Sequence, residues 1–335
     1  MKILNIFKHF IFVFIITSCS TYDEERNLPE LQTEVPKEQL ARTSNERLDV
    51  KIKHRGIYVD GFRDNILGNT LEENNLIDWA RFHHFNELTL YNVNAILDNS
   101  VNTQLLADFV KRAHERKLTI SFTASNEEAI RKITDYQKNN PLISVSDGIF
   151  TEYEFWNPNQ AGVSYAYYQK NILKTLRNVR LKKPNNWKQN LYIYDFVDAG
   201  GKYKYNKILN KITRHLKFKK QNNRIVLVNY RINAQNFPAD PKSNYYNRIQ
   251  DLASIAKKKK FVLNVILLFM VRQDVTPSMF PYFADNLENN YFENAFLNYK
   301  TQYENSTIKN KKHLNLIGYQ LYRYSDARTA KPLTR

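Results

Sequence analysis

Two carboxylates set two positions apart are the residues of this sequence best placed to do chemistry. In the stretch SDGIFTEYEFWN, residues 146–157, Glu152 and Glu154 stand among Ile, Phe, Tyr and Trp. The run reads as a buried strand. Strand side chains alternate faces, so both carboxylates point the same way, about 7 Å apart from the rise per residue. At that spacing they repel each other, and burial adds desolvation. Both effects push one pKa upward, which keeps a carboxyl protonated as a general acid near neutral pH. The same residues also fit a second reading, a pair of glutamates satisfied by Arg or Lys with no catalytic role.

The elements around the pair alternate. Strand candidates are RGIYVDGF (55–62), ELTLYNV (87–93), LTISFTA (118–124), DGIFTEYEFW (147–156), NLYIYDFV (190–197), RIVLVNYRI (224–232), KFVLNVILLFM (260–270) and LNLIGYQLY (314–322). Helix candidates fall between them at 70–85, 102–117, 126–140, 160–180, 204–216, 244–258 and 286–303. The clearest is NTQLLADFVKRAHERK, where Leu105, Leu106, Phe109, Val110 and Ala113 repeat at three and four. Asn126 is placed to cap the helix at 126–140, with acids in its first turn. A final helix after the eighth strand is missing or very short. Eight such units in about 285 residues predict an α/β fold, a single-domain (β/α)8 TIM-type barrel over residues 51–335. The alternative is a doubly wound open sheet, which normally announces a Gly-rich first turn. VDGFRDN has no such turn, and the chain has eight glycines.

Barrel enzymes build their sites at the C-terminal ends of the strands. The candidates there are Glu152 and Glu154 as catalytic residues, with Asp60, Asn92, Trp156, Asp195, Tyr230, Gln320 and Tyr322 as substrate-binding residues. Aromatic faces and amide hydrogen bonds suit sugar rings, which offer apolar C–H faces and hydroxyl edges. No P-loop, H-E-x-x-H or EF-hand pattern occurs, and the seven histidines show no ligand spacing. No metal and no cofactor is expected. His83 and His84 are assigned to packing or surface.

The stretch DGIFTEYEFWN resembles the strand-four signature D-G-x-D-x-D-x-E of glycoside hydrolase family 18, which includes chitinases and endo-β-N-acetylglucosaminidases on (β/α)8 barrels. Asp147 and Gly148 match its opening, and Glu154 matches its terminal acid. Phe150 stands at the first interior Asp, and Glu152 at the Asp two before the acid. Strand three reads TISFTAS, without the family's S-x-G-G. The resemblance implies substrate-assisted, retaining hydrolysis of β-linked GlcNAc-containing glycans, in which the substrate's 2-acetamido oxygen attacks the anomeric carbon. It makes Glu154 the acid/base, Glu152 the partner of the acetamide, and Tyr230 a match for the family's acetamide-binding tyrosine. The two departures at Phe150 and Glu152 keep open a noncatalytic glycan-binding protein on a degenerate barrel. A third reading is contact with a protein or an anionic polymer through the basic exterior.

The first residues resemble a lipoprotein signal peptide. Lys2 and Lys8 precede the apolar run FIFVFII (10–16), which is too short to span a bilayer, and Ile16-Thr17-Ser18 leads to Cys19, the only cysteine. This predicts a signal over 1–18 and lipidation at Cys19. A polar tether follows over 19–50, containing Pro29 and Pro36. Asp23-Glu24-Glu25 resembles the export signal of Bacteroidetes surface lipoproteins, and is equally a solvated acidic patch. The expectation is an outer-membrane lipoprotein, cell-surface exposed or periplasmic, held by its lipid. The lone cysteine leaves no intramolecular disulfide. Net charge is +17, or +15 without Lys2 and Lys8. The densest basic runs, KFKKQNNR (217–224) and KKKK (257–260), fall at predicted helix ends, where cations complement the dipole. A nucleic-acid partner is therefore not expected. The expected partner is a glycan or glycoprotein, and oligomeric state is left open.

Overall fold

The computed structural model describes residues 52–155, 164–179, 187–193, 205–218, 223–229, 244–287 and 290–333. Eight parallel strands close on themselves in chain order, β1 to β8 and back to β1. They are β1 His54–Val59, β2 Glu87–Leu90, β3 Thr119–Ala124, β4 Gly148–Thr151, β5 Lys188–Ile193, β6 Asn223–Asn229, β7 Leu263–Met270 and β8 Leu314–Tyr322. The predicted (β/α)8 TIM-type barrel is therefore the fold. Each helix follows its strand back along the outside. They are α1 Thr70–Phe82, α2 Val93–Ile96, α3 Ser100–Glu115, α4 Glu127–Asn139, α5 (165–178, with a wide π stretch over Tyr168–Ile172), α6 Tyr205–Phe218, α7 Asn244–Lys258, α8 Phe280–Ala284, α9 Phe292–Asn305 and α10 Tyr324–Ala330. The closing helix α10 has seven residues, the very short element expected.

Local chemistry accounts for many of the helix starts. Asn69, Asn99 and Asn126 each turn a side-chain oxygen onto the first free N–H groups of α1, α3 and α4. The last is the cap read from sequence. The largest difference from the sequence reading is strand length. β2 ends at Leu90, not residue 93, and β4 ends at Thr151, not 156. Apolar residues continue past both strand ends and are also buried there, Val93 and Phe155 among them. Hydrophobicity alone therefore overruns the strand into the loop.

The core has two parts. A large cluster fills the space between sheet and helices, with Ile149, Tyr153 and Phe155 in it. A small one plugs the barrel interior, built from Phe150, Val226, Val228, Ile266, Leu268 and Ile317, with Tyr192 and Tyr322 packed against it. Side chains of β4 therefore alternate as the sequence implied, Phe150 inward and Ile149 outward. Glycine is required at one place on this wall, because a Cβ on Gly148 would lie 2.7 Å from the Lys188 backbone carbonyl; a Cβ on Gly56 would press on the side chains of Gln320 and His54.

Candidate active site

Glu152 and Glu154 sit just past the C-terminal end of β4. The Glu152 amide donates to the Ala124 carbonyl at 3.0 Å, extending the ladder by one residue beyond the strand. Both side chains reach tyrosines of other strands, one across the barrel and one next door. Glu152 is hydrogen-bonded to Tyr58 of β1. Glu154 Oε1 accepts from the Tyr192 hydroxyl of β5 at 3.1 Å. Burial raises the Glu152 carboxyl to about 7; the Tyr58 hydrogen bond opposes this, and the charge of Glu154 adds to it. Glu152 thus titrates near neutrality. Tyr58 is in turn pushed well above its ordinary value by burial and by the Glu152 charge, so it remains a donor.

Aromatic rings surround the pair. Tyr58 lies 4.8 Å from Tyr322, 5.7 Å from Tyr91 and 6.1 Å from Phe150, between ring centroids. Phe150 lies 6.2 Å from Tyr192. Phe150 is thus the hub beneath the carboxylates, joined to the tyrosines on either side. Tyr322 ends β8 and is followed by a cis peptide to Arg323.

Below the apolar plug lies a polar layer that sequence reasoning missed. Glu87 of β2 is fully buried, and Arg224 Nη2 donates to both its oxygens at 2.9 Å. Lys188 donates to it at 2.9 Å and Ser121 at 2.7 Å. Burial would raise the Glu87 carboxyl, but Arg224 and Lys188 outweigh it and hold the group well below the usual range. Arg224 Nη1 lies 3.0 Å from His54 Nδ1. A guanidinium can only donate, so this nitrogen accepts and Nε2 carries the proton. His54 Nε2 then donates to Gln320 Oε1 at 3.0 Å, and Gln320 Nε2 donates to Thr89 Oγ1 at 3.2 Å. His54 is neutral, in keeping with a pKa lowered by burial and by Arg224.

The structure separates the other candidates. Tyr322 joins the aromatic wall of the pair. Gln320 lies in the polar layer below, with both ends of its amide bonded inside the protein. Asp60 faces α10, accepting from the Ser325 amide at 3.1 Å and the Ser325 hydroxyl at 2.7 Å, with Arg323 Nε 3.5 Å away. Asp60 thereby caps the first turn of α10 from another strand. Asn92 takes a left-handed conformation at the start of α2 and is half-buried. Trp156, Asp195, Tyr230 and Cys19 lie outside the described residues, as do the signal and tether. His83 packs on Trp79 and hydrogen-bonds Tyr291, the packing role assigned to it. Tyr58 and Tyr192 were not among the candidates. A signal existed, because Ile57 and Val59 alternate with Tyr58, and Leu191 and Ile193 with Tyr192, which puts each tyrosine on the opposite, inward face.

The opening of the D-G-x-x-x-E-x-E stretch has a structural role here. Asp147 Oδ2 accepts from the Ile120 amide at 2.7 Å and from His114 Nε2 at 2.9 Å. His114 Nδ1 lies 2.6 Å from the Ile143 carbonyl. With acceptors on both nitrogens, the imidazole satisfies both only as a cation. Among the described residues no group of three or more His, Cys, Asp or Glu gathers as for a metal ion.

Fold and site define a closed (β/α)8 barrel protein with a paired-carboxylate, tyrosine-walled mouth. No protein-family model matches the sequence. No curated protein sequence matches it either. Among solved structures, the chain is similar to a GH18 chitinase from Pseudoalteromonas aurantia, at 13% identity and a TM-score of 0.43, covering 82% of this chain and 96% of that one. It is similar to concanavalin B at 12% identity and a TM-score of 0.45, over 84% and 96%. It is also similar to the catalytic domain of a beta-amylase from Paenibacillus polymyxa, at 10% identity and a TM-score of 0.44, over 81% and 92%. These likenesses carry no argument about activity, and the fold stands on its own closed ladder of strands.

Proposed function

We propose that the protein is a glycosidase that hydrolyses β-linked GlcNAc-containing glycans with the help of the substrate's own acetamide. The observation that carries this reading is the meeting of Glu152 and Glu154 at the barrel mouth, each held by a tyrosine, with the Glu152 carboxyl at about 7. A neutral Glu152 relieves the repulsion between the two groups while the site is empty. An acetamide N–H approaching Glu152 requires a carboxylate there. The proton then passes from Glu152 to Glu154, the adjacent carboxylate. Glu154, now protonated, gives that proton to the leaving glycosidic oxygen as the acetamide oxygen attacks the anomeric carbon. Tyr91 and Tyr322, both half-buried, offer ring faces to the sugar, with Tyr58 buried behind them. The resemblance of Asp147, Gly148 and Glu154 to the family 18 signature supports the same reading.

Cys19 carries the lipid in this proposal, and the enzyme sits on the outer membrane, exposed at the cell surface. Fatty-acid labelling that is lost in Cys19→Ser tests the anchor.

The deciding experiment is glycan release from a chitobiose-core glycoprotein and from chitin oligomers, with Glu154→Gln as control. Product from the native protein and none from the variant, at equal unfolding temperature, is the expected result. Equal turnover by both overturns the proposal. A second reading, glycan binding without turnover, is favoured by one observation. Phe150 fills the interior position beneath the pair, where the family signature has a carboxylate. It expects saturable binding, quenching of Trp156 and no product.

A further inference from the structure

Every helix runs back against its strand, so helices start beside the mouth and finish beside the base. Acids stand in the first turns of some helices at the mouth end, Glu72 and Glu73 in α1, Glu127 and Glu128 in α4 and Asp326 in α10. Bases fill last turns at the base end, among them Lys257 and Lys258 in α7. The helix dipole accounts for this much. It does not account for Lys260, Lys309 and Lys312, which lie in the loops leading into β7 and β8.

Those two loops are joined. Asn310 Nδ2 donates to Ser254 Oγ of α7 at 3.4 Å, and His313 Nδ1 lies 3.4 Å from the Phe261 carbonyl. The join gathers Lys257, Lys258, Lys260, Lys309 and Lys312 at one side of the base, and all five are exposed. Val262 stands beside them, 55% exposed. Lys311, between them in sequence, is turned inward onto the carbonyls of Glu304 and Ser306. Glu304 is the nearby exposed acid, 4.0 Å from Lys300. The chain also enters β1 on the base, through Ile52 and the exposed Lys53.

We propose that this patch docks on an anionic phospholipid surface, with the five ammonium groups against headgroup phosphates and Val262 at the interface. Charge complementarity selects the surface, and an apolar side chain among lysines suits a lipid boundary better than a nucleic-acid groove. In this orientation the mouth points away from the anionic layer. The inference does not depend on the glycosidase reading.

The test is sedimentation with vesicles of the protein from residue 20 onward, which has neither the apolar signal nor the lipid-carrying Cys19. Vesicles of phosphatidylglycerol mixed with phosphatidylcholine are compared with vesicles of phosphatidylcholine alone. Binding to the mixed vesicles that weakens with salt, and little to the neutral ones, is expected. Reversing Lys257, Lys258, Lys260 and Lys312 to Glu should weaken binding roughly hundredfold or more, since each lysine near such a surface contributes about a factor of five. An unchanged unfolding temperature and unchanged turnover of a soluble glycan show that fold and mouth are intact. Equal binding of variant and parent overturns the proposal. So does equal binding to neutral vesicles, and so does tighter binding to a short duplex DNA than to the mixed vesicles.

Discussion

Tyr192 donates its hydroxyl to Glu154 over 3.1 Å from β5, while Tyr58 holds Glu152 from β1. The two carboxylates are thus drawn toward different tyrosines of the barrel wall. Phe150 lies beneath both tyrosines, in contact with each ring. A carboxylate held by a rigid neighbour needs less reorganisation to reach a reacting oxygen.

Tyr192→Phe removes this hold and keeps the ring. Under the proposed function it should lower kcat roughly tenfold and leave KM within about twofold, because the hydroxyl orients Glu154 and does not bind sugar. Steady-state kinetics on a released glycan measure both. A raised KM at constant kcat would assign Tyr192 to substrate binding.

Tyr58→Phe acts on Glu152. The Tyr58 hydrogen bond favours the charged carboxylate, so its loss should raise Glu152 further above about 7. The limb of the pH–rate profile set by Glu152 should move to higher pH by about one unit. A limb that stays in place would mean that the Tyr58 hydrogen bond does not tune this group.

Much of this architecture is written openly in the sequence. Eight strand-like runs separated by helical periods predicted the barrel, and Asn126 marked a helix start by its side chain. Alternation along β4 placed Phe150 inward. The polar layer was hidden because Glu87, Lys188 and Arg224 each stand in the first two residues of a strand. A charge there reads as the polar flank of an apolar run, and nothing local says that the three converge. That convergence is a property of closure, which brings β2, β5 and β6 together across the barrel. Asp60 was hidden for a similar reason. Its partner, Ser325, is 265 residues away.

The convergence has a measurable cost when it is broken. Glu87→Gln leaves Arg224 and Lys188 facing each other with no carboxylate between them. Removing one member of a buried ion pair costs about 3 to 5 kcal/mol. Urea unfolding should show a loss of that size, and the double change Glu87→Leu with Arg224→Met should recover most of it. A loss under about 1 kcal/mol for Glu87→Gln would mean that the layer is wet or relaxes.

His114 ties α3 to the start of β4 through Asp147. Burial works against its charge, but the Asp147 carboxylate and the Ile143 carbonyl outweigh that and raise its pKa above 6.5. A histidine with a raised folded pKa contributes stability that is present in full below 6.5 and lost as pH rises through the folded value. His114→Ala should therefore cost about 1 kcal/mol at pH 6 and clearly less at pH 9. Thermal unfolding at the two pH values checks the difference, and an equal loss at both would contradict the cationic assignment.

Glu152 has the opposite consequence for stability. Its folded value is about 7 against an ordinary 4.5, so between those values the folded protein binds more protons than the unfolded chain. Stability from this group is therefore unaffected below pH 4.5, falls as pH rises through the interval, and is lowest above pH 7. The shift corresponds to roughly 3 kcal/mol. Glu152→Gln removes the titration and keeps the shape, so it should match the native protein at pH 4.5 and exceed it by about that amount at pH 8. Groups that do not touch Glu152 titrate equally in both proteins and cancel in the difference. Were the difference flat with pH, Glu152 would titrate as an ordinary exposed carboxylate and could not hold the proton that the proposed mechanism draws from it.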